Sequence, residues 1–117
     1  MSNAIPYTEL QVYFDNAAFV LKTQHQIAKD FAAYRLFFSD QFSEQVLSRE
    51  EILNAISEQL TAIMVEGETR LMQLLYTIDL SEQEFLSLTT QANFLSLLSE
   101  KILFREAYKV YLRLQFS

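Results

Sequence analysis

Residues 48–79 read SREEILNAISEQLTAIMVEGETRLMQLLYTID, and this stretch decides the fold class. Ser48 is followed three residues later by Glu51, the spacing of a capping box: the serine oxygen accepts from an orphan N–H of the first turn, and the glutamate reaches back to the cap. Glu50 and Glu51 suit the positive end of a helix dipole. Apolar or small residues then recur at Ile52, Ile56, Leu60, Ile63, Gly67, Leu71, Leu74 and Ile78. Steps of three and four make one helical stripe, which Leu53, Met64, Met72 and Leu75 widen. A single helix of this length spans roughly 45 Å. Gly67 is the ambiguous point. It keeps the register and no turn chemistry follows it, so one continuous helix over 49–79 is expected, with a neighbouring backbone coming close at the glycine. The alternative is two helices split at Glu66-Gly67-Glu68.

The rest of the chain agrees with a helical reading. Its 117 residues fit one domain over 1–117, with residues 1–7 expected to be flexible. Half the residues are apolar, which argues against disorder, and one glycine and one proline leave little punctuation for a many-turned β fold. There is no cysteine, so disulfides and thiol chemistry are excluded and a reducing compartment is suited. Apolar runs fall far short of the ~20 residues needed to span a bilayer, and no basic segment precedes a long apolar run, so no secretory signal is expected.

Upstream, Pro6 leads into a first helix, with Thr8 and Gln11 at the spacing of a weaker capping box. Leu10, Phe14, Ala17 and Leu21 share one face. The polar run Lys22 to Gln26 interrupts the pattern, and Ile27, Phe31, Tyr34 and Phe38 resume it. The expectation is a helix over 8–38, bent near His25. The string from Leu10 to Leu21, with Asp15-Asn16 at its centre, also reads as a hairpin, but a hairpin with no third strand is marginal. Ser39 to Leu47 is a polar connection anchored by Phe42, Val46 and Leu47. Downstream, Ser81 and Glu84 form a further capping box opening a short helix over 82–88. Thr89-Thr90-Gln91 is a polar break, and a last helix is expected over 92–114. The fold class is therefore all-α: a small bundle of three long helices and a short one.

Charge is distributed unevenly around a net value of −6. Residues 1–90 hold five cations against thirteen acids, and residues 91–117 hold four cations against two. Overall acidity argues against nucleic-acid binding, which draws its affinity from neutralising phosphates. The four late cations, Lys101, Arg105, Lys109 and Arg113, recur every four residues and wind slowly around the last helix. The bland interpretation is a solvated face that suits the dipole and pairs with the acidic first helices. The functional one is a grip on a phosphate, an acidic peptide or a second copy. The same helix is apolar over more than the usual third of its circumference, with Leu95, Leu98, Ile102, Leu103, Ala107, Val110 and Leu114 on a core face. Phe104, Tyr108, Tyr111, Leu112 and Phe116 lie to its sides. Either these aromatics cover the first helix within the chain, or they meet a partner.

Two strings resemble a known group. Arg70-Leu71-x-x-Leu74-Leu75-Tyr76-x-Ile78-Asp79-x-Ser81-Glu82 resembles a segment of short helical proteins of Bacteroidetes-type bacteria. Ile102-Leu103-x-Arg105-Glu106-x-x-Lys109-Val110-x-x-Arg113 is similar to theirs too. The likeness covers roughly residues 49–116. It implies a helical fold and a cytoplasmic bacterial source, implies no activity, and singles out Arg70, Tyr76, Asp79, Arg105, Glu106 and Lys109 as its polar members.

Catalytic patterns are sparse. A di-metal carboxylate bundle needs Glu-x-x-His pairs, yet the residue three before the lone His25 is Lys22. A zinc site needs clustered His or Cys, and a phosphate loop needs glycines. No cofactor or metal is expected. The one constellation worth carrying is Arg70, Tyr76 and Asp79 with Arg105 and Lys109, assembled if the last helix folds back along the central one; an ion pair at the helix corner is its plain interpretation. The preferred function is a non-enzymatic helical interaction protein that self-associates, as a dimer, through its last helix, using Phe104, Tyr108, Tyr111 and the basic stripe. The alternative is a small-ligand, anion-binding or enzymatic site at that constellation. A weaker one is an anionic surface met by the stripe.

Overall fold

The two capping boxes at Ser48 and Ser81 both form. Ser48 Oγ accepts from Glu51 N–H at 3.1 Å while Glu51 Oε1 accepts from Ser48 N–H at 2.9 Å. Ser81 and Glu84 repeat the pair at 3.1 and 3.0 Å. They open two of the six helices seen in the computed structural model, which describes residues 10–116. After a 3-10 turn over Val12–Asp15 come α1 (Ala17–Ala32), α2 (Asp40–Glu44), α3 (Arg49–Glu66), α4 (Glu68–Ile78), α5 (Glu82–Leu88) and α6 (Phe94–Phe116). The described residues are all-α, with no strand. The expectations for residues 1–7 and for the Thr8 cap lie outside them.

The apolar stripe of the deciding stretch is right in register but wrong in continuity. Ile52, Ile56, Leu60, Ile63, Leu71, Leu74 and Ile78 are all buried in one core. Gly67 nevertheless splits the expected 49–79 helix into α3 and α4. Its φ of 123° and ψ of 164° lie in a region that only glycine populates readily. The expected close approach of a neighbouring backbone is absent, since a Cβ built on Gly67 meets nothing within 4 Å. The glycine is there for its dihedrals.

The expected 8–38 helix is also broken. Asn16, extended at φ −99°, accepts from Phe19 N–H at 3.0 Å and caps α1, so the chain before it cannot share the α1 register. This is why Ala17 is exposed although the assumed stripe ran through it, while Phe19 and Val20 are buried. At the other end Arg35 adopts φ 62°. Leu36 N–H reaches the Phe31 carbonyl at 3.1 Å and Arg35 N–H reaches that of Ala32 at 3.0 Å, a Schellman closure. α4 ends identically on Asp79 (φ 73°), with Leu80 N–H to Leu75 O at 2.8 Å and Asp79 N–H to Tyr76 O at 3.0 Å. Leu36 and Leu80, just past the two ends, are buried.

The polar run at 22–26 does not interrupt α1: Thr23, Gln24 and Gln26 are buried, while Lys22 and His25 are exposed. Gln24 is fully buried, and its amide donates to the carbonyls of Phe42 and Gln45, both at 2.7 Å, while its oxygen accepts from Leu47 N–H at 2.9 Å. One side chain thus stitches the whole 40–47 segment to α1. Phe42 and Leu47 anchor that segment as expected, and Val46 is exposed. α6 packs against α1 and α3 at once. Its N-terminal half contributes Leu98, Ile102 and Leu103 to the main core, and its C-terminal half contributes Ala107, Tyr108 and Val110 to a second core with Leu10 and Phe19. The excess apolar circumference of this helix is met largely within the chain. No helix among the described residues is long and apolar enough to cross a membrane.

Two substitutions separate dihedral strain from crowding. Gly67→Ala should lower stability by about 1–3 kcal/mol although its Cβ meets nothing within 4 Å, whereas a D-alanine introduced there by chemical synthesis should cost far less, since for a D residue these dihedrals are ordinary extended backbone. Arg35→Gly should raise stability by about 0.5–1 kcal/mol by relieving the left-handed position. Denaturant midpoints measure all three, and an unchanged midpoint for Gly67→Ala would contradict the assignment.

Candidate functional site: the charged and aromatic faces of α6

α6 presents a charged flank to α1 and to the end of α4. Lys109 is the centre of it. Its Nζ donates to Asp30 Oδ2 at 2.8 Å and to the Thr77 carbonyl at 2.7 Å, and lies 3.5 Å from Glu106 Oε1. One ammonium therefore joins α1, the last turn of α4 and α6. Four residues earlier, Arg105 pairs with Asp79 at 2.9 Å. The left-handed backbone at Asp79 places this carboxylate past the end of α4, so it does not share a helix face with Tyr76. Four residues after Lys109, Arg113 donates to Gln26 Oε1 at 2.6 Å, and Gln26 Nε2 donates to Asp30 Oδ1 at 3.1 Å.

Of the expected constellation, the fold brings together Asp79, Arg105 and Lys109. Arg70 is held elsewhere: it donates to the Tyr34 carbonyl at 2.6 Å, pairs with Glu66 at 3.1 Å and stacks over the Tyr34 ring at 5.7 Å. Tyr76 is 58% exposed and takes no part. These residues form structural ties rather than one site.

The centre of the flank is a residue that periodicity alone passes over. Glu106 is fully buried, between Ile102 and Val110 in steps of four, on the core side of α6. Its partner Asp30 is 8% exposed. Burial pushes the Glu106 carboxyl up to about 9, the hydrogen bond and negative charge of Asp30 add to this, and Lys109 opposes it. Glu106 is therefore neutral at pH 7. Among the described residues no donor makes a hydrogen bond to its oxygens, Lys109 Nζ standing off at 3.5 Å, whereas a protonated carboxyl has a hydrogen to donate to Asp30. The step-of-four run Ile102-Glu106-Val110 is the signal that marks Glu106 as buried; Asp30 and Gln26 leave no such mark in an α1 face already rich in polar residues.

The other flank of α6 is aromatic. Phe104, Tyr108 and Tyr111 form a ladder of nearly parallel rings, 6.3 Å apart at 5° and 6.2 Å apart at 13°. Tyr108 is buried, with the Arg105 guanidinium over its ring at 5.5 Å. Tyr111 meets Tyr13 edge-on at 5.3 Å. Phe104 and Tyr111 are half-buried. The aromatic members of the expected interaction set thus share one side of the helix, while Arg105, Lys109 and Arg113 of the same set lie on the charged flank, and Tyr108 is turned into the second core. Beside Phe104 opens a groove of about 310 Å³ lined by Glu84, Glu100, Lys101, Phe104 and Arg105. At Glu84, burial works to raise the carboxyl, but hydrogen bonds from the Ser81 backbone and hydroxyl and the charges of Lys101 and Arg105 outweigh it, so its value is lowered.

Among the described residues no group of three or more His, Cys, Asp or Glu side chains is placed to hold a metal ion. Comparison of the chain with protein-family models, with curated proteins and with solved structures finds no match in any of the three.

The Glu106 proton makes stability depend on pH in a definite direction. Folded Glu106 keeps its proton up to about pH 9, while in the unfolded chain it loses it near the ordinary carboxyl value of 4.5. The folded state binds the extra proton between these limits, so Glu106 lowers stability as pH rises through this window, by up to about 1.4 kcal/mol per unit. Glu106→Gln, which mimics the neutral carboxyl, should remove that slope and outlast the parent at pH 8–9. Urea midpoints from pH 5 to 9 that run parallel for parent and variant would show that Glu106 does not titrate in this way.

Proposed function

We propose that the chain is a non-enzymatic helical interaction protein that forms a dimer through α6, at the groove beside Phe104. The observation that carries this reading is the composition of that groove. Glu84 and Glu100 line it together with Lys101, Arg105 and the Phe104 ring. A twofold interface apposes a patch to itself, so it must be self-complementary. A patch holding two acids, two bases and an aromatic edge meets that requirement, with Lys101 of one copy set against the acids of the other and the two Phe104 rings buried between them. The half-buried Tyr111 extends the same side. Glu100 is engaged only weakly within its own chain, at 3.7 Å from Arg49, in an exposed pair that contributes little. The cytoplasmic bacterial setting implied by the resemblance belongs to the same proposal.

The experiment is sedimentation equilibrium of the parent and three variants, with circular dichroism as the folding control. The parent should sediment as a dimer. Phe104→Glu and Lys101→Glu should each weaken association about tenfold or more, with helical signal kept. Adding Glu100→Lys to Lys101→Glu should restore it, because the swap returns opposite charges to the apposed copies. A parent that stays monomeric at high micromolar concentration, or variants that associate as the parent does, would overturn the reading. Tyr108 is unsuitable for this test because it lies in the second core.

A further inference from the structure

A second groove, of about 340 Å³, runs between α1 and α6 and is lined by Lys22, His25, Gln26, Lys29, Val110, Arg113 and Leu114. Its charge is exceptional for this chain. The protein carries fifteen acids against nine bases, yet among the described residues no carboxylate lines this groove, while three cations and the only histidine do. Lys22 and Lys29 stand seven residues apart on the exposed side of α1 and enter no ion pair among the described residues. Arg113 has a neutral partner, the Gln26 oxygen at 2.6 Å, which fixes its guanidinium without consuming its charge. Gln26 itself is buried. The nearest carboxylate in this network, Asp30, is already matched by Lys109 at 2.8 Å. His25 Nε2 lies 2.7 Å from the Ser43 carbonyl, which can only accept, so Nε2 carries the hydrogen and the ring is held at the edge of the groove.

From this we infer that the groove between α1 and α6 is a binding site for a small, soluble, multiply charged phosphorylated molecule. Two lysine ammonium groups and a guanidinium fork converge on one concavity with an apolar wall at Val110 and Leu114. That combination fits a phosphoryl group of charge near −2 or more attached to a compact apolar body. Three unneutralised cations brought together on two packed helices repel one another, and a polyanion relieves that repulsion. The site lies on a different face of α6 from the Phe104 groove and does not depend on the dimer. It differs also from the arrangement expected from sequence, since Arg105 and Lys109 are spent on Asp79 and Asp30 and only Arg113 of the basic stripe reaches it.

Inorganic pyrophosphate is the probe, titrated into the full chain at about 20 mM salt, where exposed charges are little screened. Isothermal calorimetry should report one pyrophosphate per chain. Arg113→Gln and Lys29→Gln should each weaken binding about tenfold, Lys22→Gln somewhat less, and Lys101→Gln should leave it unchanged. All four positions are partly or fully exposed, so the folded state should survive, and the His25 ring resonances should shift on titration in the parent and in Lys101→Gln alike, and only at about tenfold higher pyrophosphate in Arg113→Gln and Lys29→Gln. The lipid source of the same phosphoryl chemistry is separated by pelleting with phosphatidylserine vesicles, which the parent should not do. No heat and no His25 shift at millimolar pyrophosphate would overturn the proposal. So would undiminished binding in a Lys22, Lys29 and Arg113 triple-glutamine variant, or vesicle pelleting that pyrophosphate does not compete away.

Discussion

A cation taken most of the way out of water must find oxygen partners, and Lys109 finds them on three elements at once. Asp30 comes from α1, the Thr77 carbonyl from the last turn of α4, and Glu106 from α6 itself. The α4 contribution is a free carbonyl at the negative end of a helix dipole, which only a donor from outside the helix can satisfy. The position of α6 along both neighbours is therefore fixed by a point contact, where apolar packing alone would tolerate sliding. Ion pairs of this kind contribute little net stability compared with a hydrophobic replacement; their value is in the register they impose. Arg105–Asp79 one turn earlier and Arg113–Gln26 one turn later lie on the same line, so the expected basic stripe is in large part the seam by which α6 is docked.

The same seam explains why Glu106 tolerates burial. Lys109 offers one positive charge to two carboxyls, and both cannot stay ionised in that space. Keeping the proton on Glu106 leaves one carboxylate opposite one ammonium. The arrangement is neutral as a unit, which suits its position between two apolar cores.

How much of this was legible depends on which physical signal each feature leaves. Capping boxes are local and written in side chains, so Ser48–Glu51 and Ser81–Glu84 were readable and the starts of α3 and α5 follow from them. Apolar periodicity placed Ile52 to Ile78 in the core. It could not show the break at Gly67, because a single residue of unusual dihedral between two helices need not disturb the stripe. The ends at Arg35 and Asp79 were hidden for a different reason: a left-handed terminator is advertised by glycine, and here the closure is held by the buried Leu36 and Leu80 instead. At Asn16 a turn was legible only in the hairpin alternative, and the stripe drawn from Leu10 to Leu21 suggested continuity instead. At the candidate site, pairing of Arg105 and Lys109 with earlier acids was foreseeable from charge asymmetry. Asp79 stood among the expected partners, and Arg105 takes it; Asp30 as the partner of Lys109 was hidden, since it is 79 residues away in sequence and only the docking of α6 brings it near.

Sorting cations by what the fold consumes also changes what the charge pattern means. Read along the chain, the bases of residues 91–117 look like one surface. In the folded molecule Arg105 and Lys109 are satisfied internally, Lys101 stands among acids beside Phe104, and Arg113 joins Lys22 and Lys29 from α1. Two neighbourhoods of opposite logic result on one helix: a mixed-sign patch that is complementary to itself, and a single-sign groove that is not. Mixed charge favours contact between like molecules, whereas uniform positive charge disfavours it and favours a smaller anion. Gln26 is the hinge between groove and seam, because its oxygen accepts from Arg113 and its amide donates to Asp30. A neutral amide can satisfy a guanidinium on one side and a carboxylate on the other while neutralising neither. The charge of Arg113 is in this way kept available to the groove by the same residue that fixes where it points.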